Sequence, residues 1–471
     1  MRCSMKKEYL WVPASQRKMD PSRVGLIQLA YPILLESILR STVNLIDIAF
    51  LSRVSDGVVS AVSVSGQYIM LCQMLASAVA TGTLVCINQA IGMKNKEKID
   101  RFATIALAAN TTLGLLFGLI FILFSGQLLT IMRLDHDTIE AADRYMRIGG
   151  GLMVFQCVEV VFSSICRSMG RTKAPLAINV TANLINLVGN YLAVYHPEFT
   201  GLDPVSGVAA ASVLSRVASM ALASCIAWRA GVRVSFGHLV PFPMDDLRLA
   251  LSIGIPGGLN NMAYSLSQLV TTSIISLTGT VMVATKVYVN NLVHYVALVG
   301  MAFSGANSLM VGYRVGAGNY QEANEIRGLV TRIAVCSNAF FSLLMLLFRI
   351  PLMHLFTQNE TIIQIAAMIF VIDFFVEIGR ALNNSIAGAL QATGDVKYQM
   401  VVNQLSGWFV SVGGAYVLGI ILQWGLYGVW IAFALDELTR GLILLRRWKS
   451  QKWVEGAEKR RKMISSNQAA G

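Results

Sequence analysis

One apolar stretch near the start of the chain limits its possible folds more than any other feature. The stretch runs from Val24 to Leu51 and is 28 residues long, which corresponds to an α-helix of about 42 Å. The hydrocarbon layer of a bilayer is only about 30 Å thick, so such a helix is long enough to cross it. The stretch therefore predicts a membrane span.

Three charged residues lie inside this span: Glu36, Arg40 and Asp47. At about 100° per residue they fall on one stripe of the helix, which is expected to face protein or a water-filled cavity. Glu36 and Arg40 are four residues apart and can neutralise each other, whereas Asp47 has no basic residue within reach on its own helix. A charge at the bilayer centre costs about 3 kcal/mol on insertion scales, so we expect Asp47 to have a function.

The overall composition is that of a polytopic membrane protein. Of the 471 residues, 55% are hydrophobic and only 14% are charged, and the mean hydropathy is +0.59. The net charge of +12 comes from short connections and both tails rather than from a basic domain, which argues against a nucleic-acid partner. The seven cysteines show no CxxC or Cys/His ligand spacing, and we interpret them as packing residues.

Apolar runs of spanning length recur along the whole chain and predict an all-α membrane protein with twelve transmembrane helices. Lys and Arg are concentrated in alternate connections and in both tails, so the positive-inside rule predicts that both termini are cytoplasmic, in a multi-pass protein of the plasma (inner) membrane. The predicted spans are 24–52, 58–91, 102–125, 145–169, 174–195, 205–230, 248–278, 282–313, 329–356, 362–392, 398–423 and 425–446.

The two halves of the chain repeat each other at a fixed offset of 224 residues. Six helices per half is an even number, so the two six-helix lobes are expected to have the same orientation, with a substrate cavity between them. Matching pairs are Pro32/Pro256, Gly92/Gly316, Asn95/Asn319, Gly170/Gly394, Lys173/Lys397, Asn179/Asn403 and Gly189/Gly413. The predicted domains are an N-terminal cytoplasmic tail (1–22), an N-lobe (23–230), a cytoplasmic linker that leaves the lobes free to rock (231–247), a C-lobe (248–447) and a basic cytoplasmic tail (448–471).

The fifth span carries asparagines on one helical face at positions 179, 183, 186 and 190. Asn190 and Asp47 each lie about five residues from the predicted outer ends of their helices, so the two side chains are expected at one depth. A carboxylate with amide and hydroxyl oxygens is a plausible site for a proton or Na⁺. For Asn179 and Asn183, hydrogen bonds to neighbouring helices are the favoured alternative.

The tenth span contains Glu377 and Arg380, three residues apart, followed by Asn383. They predict either a structural ion pair that stabilises the second lobe or a pair that contacts substrate. The same two alternatives apply to Glu36 and Arg40. The last span carries three more charged residues, Asp436, Glu437 and Arg440. They could form a packed charge network or belong to a transport pathway.

The motifs of several enzyme classes are missing from the sequence. The five histidines are scattered and form no HExxH pair, and no GxxxxGK[ST] sequence is present. We therefore expect neither catalysis, nor ATP as energy source, nor a cofactor.

The sequence resembles the multidrug and toxic compound extrusion (MATE) family of secondary transporters over residues 24 to about 446. The matching segments are Pro32 with Asp47, LSRVSDGVVSAVSVSGQ (51–67), INQAIGMKN (87–95), CRSMGRTKAP (166–175), GYRVGAGN (312–319), EIGRALN (377–383) and GALQATGD (388–395). The resemblance implies a V-shaped pair of lobes that exports organic, often cationic, compounds or drugs in exchange for H⁺ or Na⁺.

The resemblance also implies roles for particular residues. Asp47 would occupy the position of the first-span coupling carboxylate, with Asn186, Asn190 and Ser215 beside it, and a Na⁺ at Asp47 would be the only metal. Some family members have an aspartate where this chain has Asn190, and others have a glutamate where it has Tyr264, so the coupling ion stays open between H⁺ and Na⁺.

Two rival functions remain at this stage. A lipid-linked saccharide flippase of the same superfold is expected to have a more cationic cavity, and an intramembrane enzyme requires a nucleophile or metal constellation that the motifs do not supply. The expected partners are a small-molecule substrate, H⁺ or Na⁺ and the lipid bilayer, and the protein is expected to be a monomer.

Overall fold

The computed structural model describes residues 24–51, 56–130, 136–240 and 242–466, and these residues contain helices and turns but no β-strand. The main helices are α1 (Leu26–Leu51), α2 (Asp56–Gly92), α3 (Lys96–Thr130), α4 (His136–Tyr145), α5 (Val154–Ser168), α6 (Lys173–Tyr195), α7 (Pro204–Arg229), α8 (Met244–Ser276), α9 (Thr280–Gly316), α10 (Tyr320–Leu347), α11 (Arg349–His354), α12 (Glu360–Thr393), α13 (Val396–Ile421, partly π-helical), α14 (Gly425–Lys449) and α15 (Lys452–Ser466).

The predicted spans correspond to these helices. Among the described residues, eight helices are long and apolar enough to cross a membrane, and the bent pair of α4 and α5 makes up to nine. The predicted first, seventh and twelfth spans are α1, α8 and α14, which contain 26, 33 and 25 residues. At about 1.5 Å per residue each of these three is also long enough to cross.

The fourth span is broken between α4 and α5. A π-helical turn, Met146–Gly150, follows α4, and the helix axis bends by 46° before α5 begins. Arg216 of α7 donates a hydrogen bond from Nη1 to the carbonyl oxygen of Gly149 at 2.7 Å. The guanidinium thus satisfies a backbone acceptor at a break in the helical ladder, which a membrane interior would leave unsolvated.

Several helices extend beyond their predicted boundaries because hydropathy detects only the apolar part of a span. The predicted third and ninth spans begin at 102 and 329, whereas α3 and α10 begin at Lys96 and Tyr320. Each of these helices starts with a polar turn capped by an asparagine. Asn95 Oδ1 accepts from the amide of Lys98 at 3.0 Å, and Asn319 Oδ1 accepts from the amide of Glu322 at 3.2 Å.

The repeat is thus visible in local structure. Asn95 and Asn319 are one of the matched pairs, and both cap a helix. A second matched pair, Gly170 and Gly394, has left-handed backbone torsions, with φ of 69° and 82°. Glycine adopts this conformation without a Cβ penalty, so both halves end a helix in the same way.

The described helices form two compact units. The N-unit comprises Leu35–Ile91 and Asn95–Gly258, and the C-unit comprises the residues up to Leu34, Gly92–Lys94 and the residues from Leu259 onward. This grouping places the start of α1 in the C-unit and the start of α8 in the N-unit. The predicted lobe boundaries in the sequence stay a prediction.

Small residues bring the helices of the N-unit close together. A Cβ on Gly189 of α6 would lie 2.5 Å from the Cβ of Ala211 on α7, and a Cβ on Gly207 of α7 would lie 2.7 Å from that of Ala193 on α6. Such reciprocal contacts between small residues are typical of helices packed within a membrane.

The C-unit is built around α9, α12 and α14. Its apolar core contains Phe370 and Val376 of α12 and Trp430 of α14, all nearly inaccessible to solvent. The indole of Trp430 donates to Asp373 Oδ1 at 3.1 Å. The core of this unit therefore encloses polar groups, and these groups belong to the candidate site described below.

The connection after α7 is attached to α3. The amide of Arg233 donates to Asp100 Oδ1 at 2.9 Å. Asp246, in the first turn of α8, is buried and lies 3.3 Å from Lys98 Nζ and 2.8 Å from Arg101 Nε. Because α8 begins at Met244, the last four residues of the predicted linker 231–247 are helical.

The chain after α14 also folds back onto its own unit. The predicted basic tail contains α15, whose Trp453 is 1% exposed and stacks on Trp448 with ring centroids 4.4 Å apart. Trp448 Nε1 donates to Asn324 Oδ1 of α10 at 2.8 Å. Arg460 Nε donates to the carbonyl oxygen of Thr393 at 3.0 Å. The sequence predicted only a basic tail here, and the structure shows that it contains an amphipathic helix.

Candidate functional site

Glu36 lies at the centre of a polar cluster in the N-unit. The residue is 5% exposed, and its Oε1 lies 3.2 Å from Arg40 Nη2, 2.9 Å from Arg167 Nη2 and 3.2 Å from Asn179 Nδ2. The structure therefore brings Glu36 and Arg40 together. It adds Arg167 at the end of α5 as a closer partner.

This cluster compensates a buried negative charge from three directions. A buried carboxylate is strongly unfavourable unless it is paired and hydrogen-bonded, and Glu36 has both kinds of partner. Nearby, Glu159 of α5 accepts a hydrogen bond from Ser163 Oγ at 2.6 Å and interacts electrostatically with Arg40 and Arg167. Two carboxylates and two guanidiniums balance each other, so this arrangement favours a structural role.

The amide stripe of α6 divides into two parts. Asn179 belongs to the Glu36 cluster, whereas Asn190 Nδ2 donates to Asn186 Oδ1 at 3.0 Å, and Asn186 Nδ2 lies 3.2 Å from Ser212 Oγ. Ser215 is buried on α7 and donates to the carbonyl oxygen of Ser212 at 2.8 Å. Asn186, Asn190 and Ser215 thus belong to one polar patch between α6 and α7, as their predicted common site requires.

Asp47 belongs to α1, but its side chain lies outside the described residues. Its predicted approach to Asn190 therefore stays a prediction. The backbone places Asp47 four residues before the end of α1 at Leu51.

The C-unit contains a larger charge network between α10, α12 and α14. Arg380 forms an ion pair with Glu377, and its Nε lies 3.6 Å from Glu437 Oε1. Asn338 Nδ2 of α10 donates to Glu377 Oε2 at 3.1 Å. Asn383 Nδ2 donates to Glu437 Oε2 at 2.9 Å. The predicted group of Glu377, Arg380 and Asn383 is thus brought together around a residue of the last span.

The network continues along α14. Arg440 forms an ion pair with Asp436, and its Nη2 lies 3.1 Å from Glu437 Oε1. Ser406 of α13 donates to Asp436 Oδ1 at 2.6 Å. Both carboxylates are nearly inaccessible to solvent. The charged residues of the last span therefore form a packed network with those of the tenth.

Asp373 is a member of this region that sequence reasoning missed. It is 3% exposed and interacts electrostatically with Glu377 and Arg380. Its spacing of four residues from Glu377 was a usable signal, because it places both carboxylates on one face of α12. The donor that holds it, Trp430, comes from another helix and gave no such signal.

The charges of this network do not balance. Asp373, Glu377, Asp436 and Glu437 supply four carboxylates, whereas Arg380 and Arg440 supply two guanidiniums. An uncompensated buried carboxylate is strongly unfavourable, so excess acid of this kind favours uptake of protons or another cation. Within the described residues, no group of three His, Cys, Asp or Glu side chains has a geometry that could hold a metal ion.

Comparison with known families gives two matches along the chain. The sequence model of the MatE family matches residues 32–192 and again residues 256–417. The two matches begin at Pro32 and Pro256, which are separated by the repeat offset.

Full-length relatives and solved structures agree with this result. YisQ of Bacillus subtilis, an uncharacterized transporter, is 30% identical over 95% of this chain and 99% of its own length. NorM of Thermotoga maritima, a probable multidrug resistance protein, is 25% identical over 97% of this chain and 98% of its own. A crystal structure of MATE in the bent conformation superimposes with a TM-score of 0.85 at 18% identity, over 95% of this chain and 98% of that one.

Proposed function

Because the chain belongs to the MatE family and is a multi-pass membrane transporter rather than an enzyme, we propose that it exports organic, often cationic, compounds by antiport with H⁺. The relatives named as probable multidrug resistance proteins support export of drugs. The single observation that carries the proposal of a coupling ion is the excess of buried acid in the C-unit.

The donors around these carboxylates favour a proton over Na⁺. Trp430, Asn338, Asn383 and Ser406 each donate an N–H or O–H to an oxygen of the network. Oxygens that already accept hydrogen bonds have fewer lone pairs for Na⁺, which needs several oxygen ligands at once. A proton needs only one oxygen, and it removes the unfavourable buried charge.

Asp47 is the proposed coupling carboxylate of the N-unit. On this proposal Asn186, Asn190 and Ser215 supply the neighbouring amide and hydroxyl groups. Protonation of Asp47 removes the charge that attracts a cationic substrate, so the substrate is released.

Coupling of this kind needs two conformations that bind the ligands differently. A ligand shifts such an equilibrium only by its differential affinity for the two states. Protons on Asp47 and on the Glu377 network change the charge of both units, and so they alter the affinity for a cation. This is the physical basis of the proposed exchange.

The protein is proposed to be a monomer in the plasma (inner) membrane. The proposed topology has both termini in the cytoplasm. The distribution of Lys and Arg among the connections supports it. Export of a lipid-linked saccharide is disfavoured, because recognition of a pyrophosphate favours excess positive charge, and the network of the C-unit has the opposite sign.

The test uses purified protein in lipid vesicles, with a proton or a sodium gradient imposed separately and ethidium as the transported cation. We expect a proton gradient to drive transport by the wild-type protein. Asp47→Asn is expected to abolish this transport and Glu377→Gln to reduce it at least about tenfold, since each change mimics permanent protonation. Glu360→Gln, at the exposed start of α12, is the control.

Two results would contradict the proposal. Transport driven by the sodium gradient alone would reject the proton as the coupling ion. Full activity of both Asp47→Asn and Glu377→Gln at normal protein levels would reject both coupling sites.

A further inference from the structure

The C-unit contains a buried cation outside the network described above. Lys286 lies in the second turn of α9 and is 5% exposed. Its Nζ donates to Thr272 Oγ1 of α8 at 2.6 Å. Within the part of the chain that the structure describes, no carboxylate lies within 4 Å of this ammonium.

The hydrogen bonds of Lys286 leave the ammonium incompletely satisfied. An ammonium has three N–H donors, and among the described residues Thr272 is the one acceptor for them. The hydroxyl of Thr272 itself donates to the carbonyl oxygen of Gln268 at 2.7 Å, so it accepts from Lys286 in a fixed orientation. Lys98, a buried ammonium of the N-unit, differs because its Nζ lies 3.3 Å from the carboxylate of Asp246.

A polar stripe on α8 leads to this ammonium. Asn261, Ser265, Gln268 and Thr272 are spaced i, i+4, i+7 and i+11, which places them on one face of the helix. The first two are exposed and the last two are half-buried, so the stripe passes from the surface of the unit toward Lys286. Polar side chains on a spanning helix face water or protein rather than lipid.

The next helix carries a matching stripe. Lys286, Asn290 and His294 follow each other at intervals of four residues on α9, and the last two are exposed. The helices α8 and α9 are consecutive and joined by a short turn near Gly279. The two stripes therefore end together at the ammonium.

We propose that Lys286 and Thr272 form a binding site for a carboxylate group on the transported compound. A buried ammonium with two unused donors is costly without an anion, and a carboxylate supplies both the charge and the acceptor oxygens. The repeat offset of 224 pairs Asp47 with Thr271, the neighbour of Thr272, so the second half has no carboxylate at the position that corresponds to Asp47. The inference rests on the proposed export function and adds a preference, among the exported cations, for compounds that also have an acidic group.

The experiment measures equilibrium binding to the purified full-length protein by fluorescence anisotropy. The probes are rhodamine B, which has a free carboxylate, and its ethyl ester, which has the same cationic ring system without that charge. Lys286→Gln is expected to bind rhodamine B about tenfold more weakly than the wild-type protein does, and to bind the ester equally well. Lys286→Arg should keep the preference for rhodamine B, and Lys397→Gln, at an exposed lysine of α13, is the matched control.

Binding of the ester also reports folding, so a loss of both probes in Lys286→Gln is checked with Lys286→Met. Excess acetate is expected to weaken the binding of rhodamine B to the wild-type protein but not to Lys286→Gln, because acetate competes for the same ammonium. A wild-type protein that binds rhodamine B no more tightly than the ester, or variants that lose both probes equally, would overturn the site. Binding is measured without an ion gradient. A failure of ion-coupled transport can therefore be told apart from a failure of the carboxylate site.

Discussion

Arg167 lies 2.9 Å from Glu36, closer than Arg40, which is four residues away from Glu36 on the same helix and lies at 3.2 Å. The arginine side chains are 30% and 56% exposed, respectively. The more distant residue in sequence is therefore the better desolvated partner. This relationship makes the contributions of the two arginines unequal.

We expect Arg167→Ala to lower the free energy of unfolding by about 2 kcal/mol, and Arg40→Ala by less than about 1 kcal/mol, because exposed pairs are well screened. In a Glu36→Gln background the effect of Arg167→Ala should shrink, since the charge that it neutralises is gone. Unfolding of each variant in mixed detergent micelles measures these differences. Arg144→Ala, which removes an exposed pair with Glu140, is the control and should change stability by less than about 0.5 kcal/mol. Strict additivity of the Glu36 and Arg167 changes would contradict the coupling.

Removal of Arg380 should destabilise the C-unit more than removal of its partner. Arg380→Gln leaves the carboxylates of this network with Arg440 alone and is expected to cost about 3 kcal/mol. Glu377→Gln removes one excess charge and should cost about 1 kcal/mol or less. The double variant should recover part of the loss caused by Arg380→Gln, and thermal unfolding measures all three. An equal loss for the two single variants would show that excess negative charge does not govern this network.

The seam between α2 and α8 should not accept a larger side chain at Gly254. A Cβ there would lie 2.2 Å from the carbonyl oxygen of Ala78. Both positions are helical backbone, so the clash can be relieved only if α2 or α8 shifts as a whole. Gly254→Val is expected to cost at least about 2 kcal/mol and to reduce the yield of monodisperse protein in size-exclusion chromatography. Gly66→Ala, at a position of α2 with open space around it, is the control and should be neutral or stabilising. Normal yield and stability of Gly254→Val would mean that the two helices are less tightly packed.

Asp203 should make the stability of α7 depend on acid pH. Partial burial raises the pKa of this carboxyl, but hydrogen bonds from the side chain and amide of Ser206 outweigh it, and the net pKa is lowered. A lowered folded-state pKa means that the carboxylate stabilises the protein above its unfolded pKa, and that this contribution is lost as pH falls through the folded value. Asp203→Ala is expected to cost about 1 kcal/mol at neutral pH.

The control for this prediction is Asp203→Asn, which keeps a good helix cap but does not titrate. The difference in melting temperature between the wild-type protein and Asp203→Asn should therefore shrink between about pH 6 and about pH 3. A difference that stays constant over this range would contradict the assignment of the pKa shift to the cap.

Local and additive properties of the sequence were predictable. The spans could be found because hydropathy sums over consecutive residues. The contact between Glu36 and Arg40 could be found because a helix places residues four apart on one face. The caps at Asn95 and Asn319 follow from the repeat and from the preference of asparagine for helix starts.

Contacts between distant segments could not be predicted in this way. Nothing in the sequence near Arg167 indicates that it meets Glu36, because that contact depends on how α1 and α5 pack. The break between α4 and α5 needs a π-helical turn whose carbonyl is satisfied by Arg216, a residue from another helix. The hydrogen bond that Asp373 accepts could not be predicted, because its donor, Trp430, follows it by 57 positions.

The attachments of the segment after α7 and of the last turn of α14 have a consequence for the origin of the protein. Asp100 receives the amide of Arg233, and Asn324 receives the indole of Trp448. Asp100 and Asn324 are separated by the repeat offset of 224, so equivalent positions hold the chain at or just after the last helix of each half. If the halves arose by duplication of one gene, the ancestral polypeptide already held the end of its last span against its own third span. On that history, the contact with the third span is older than the fusion of the two halves.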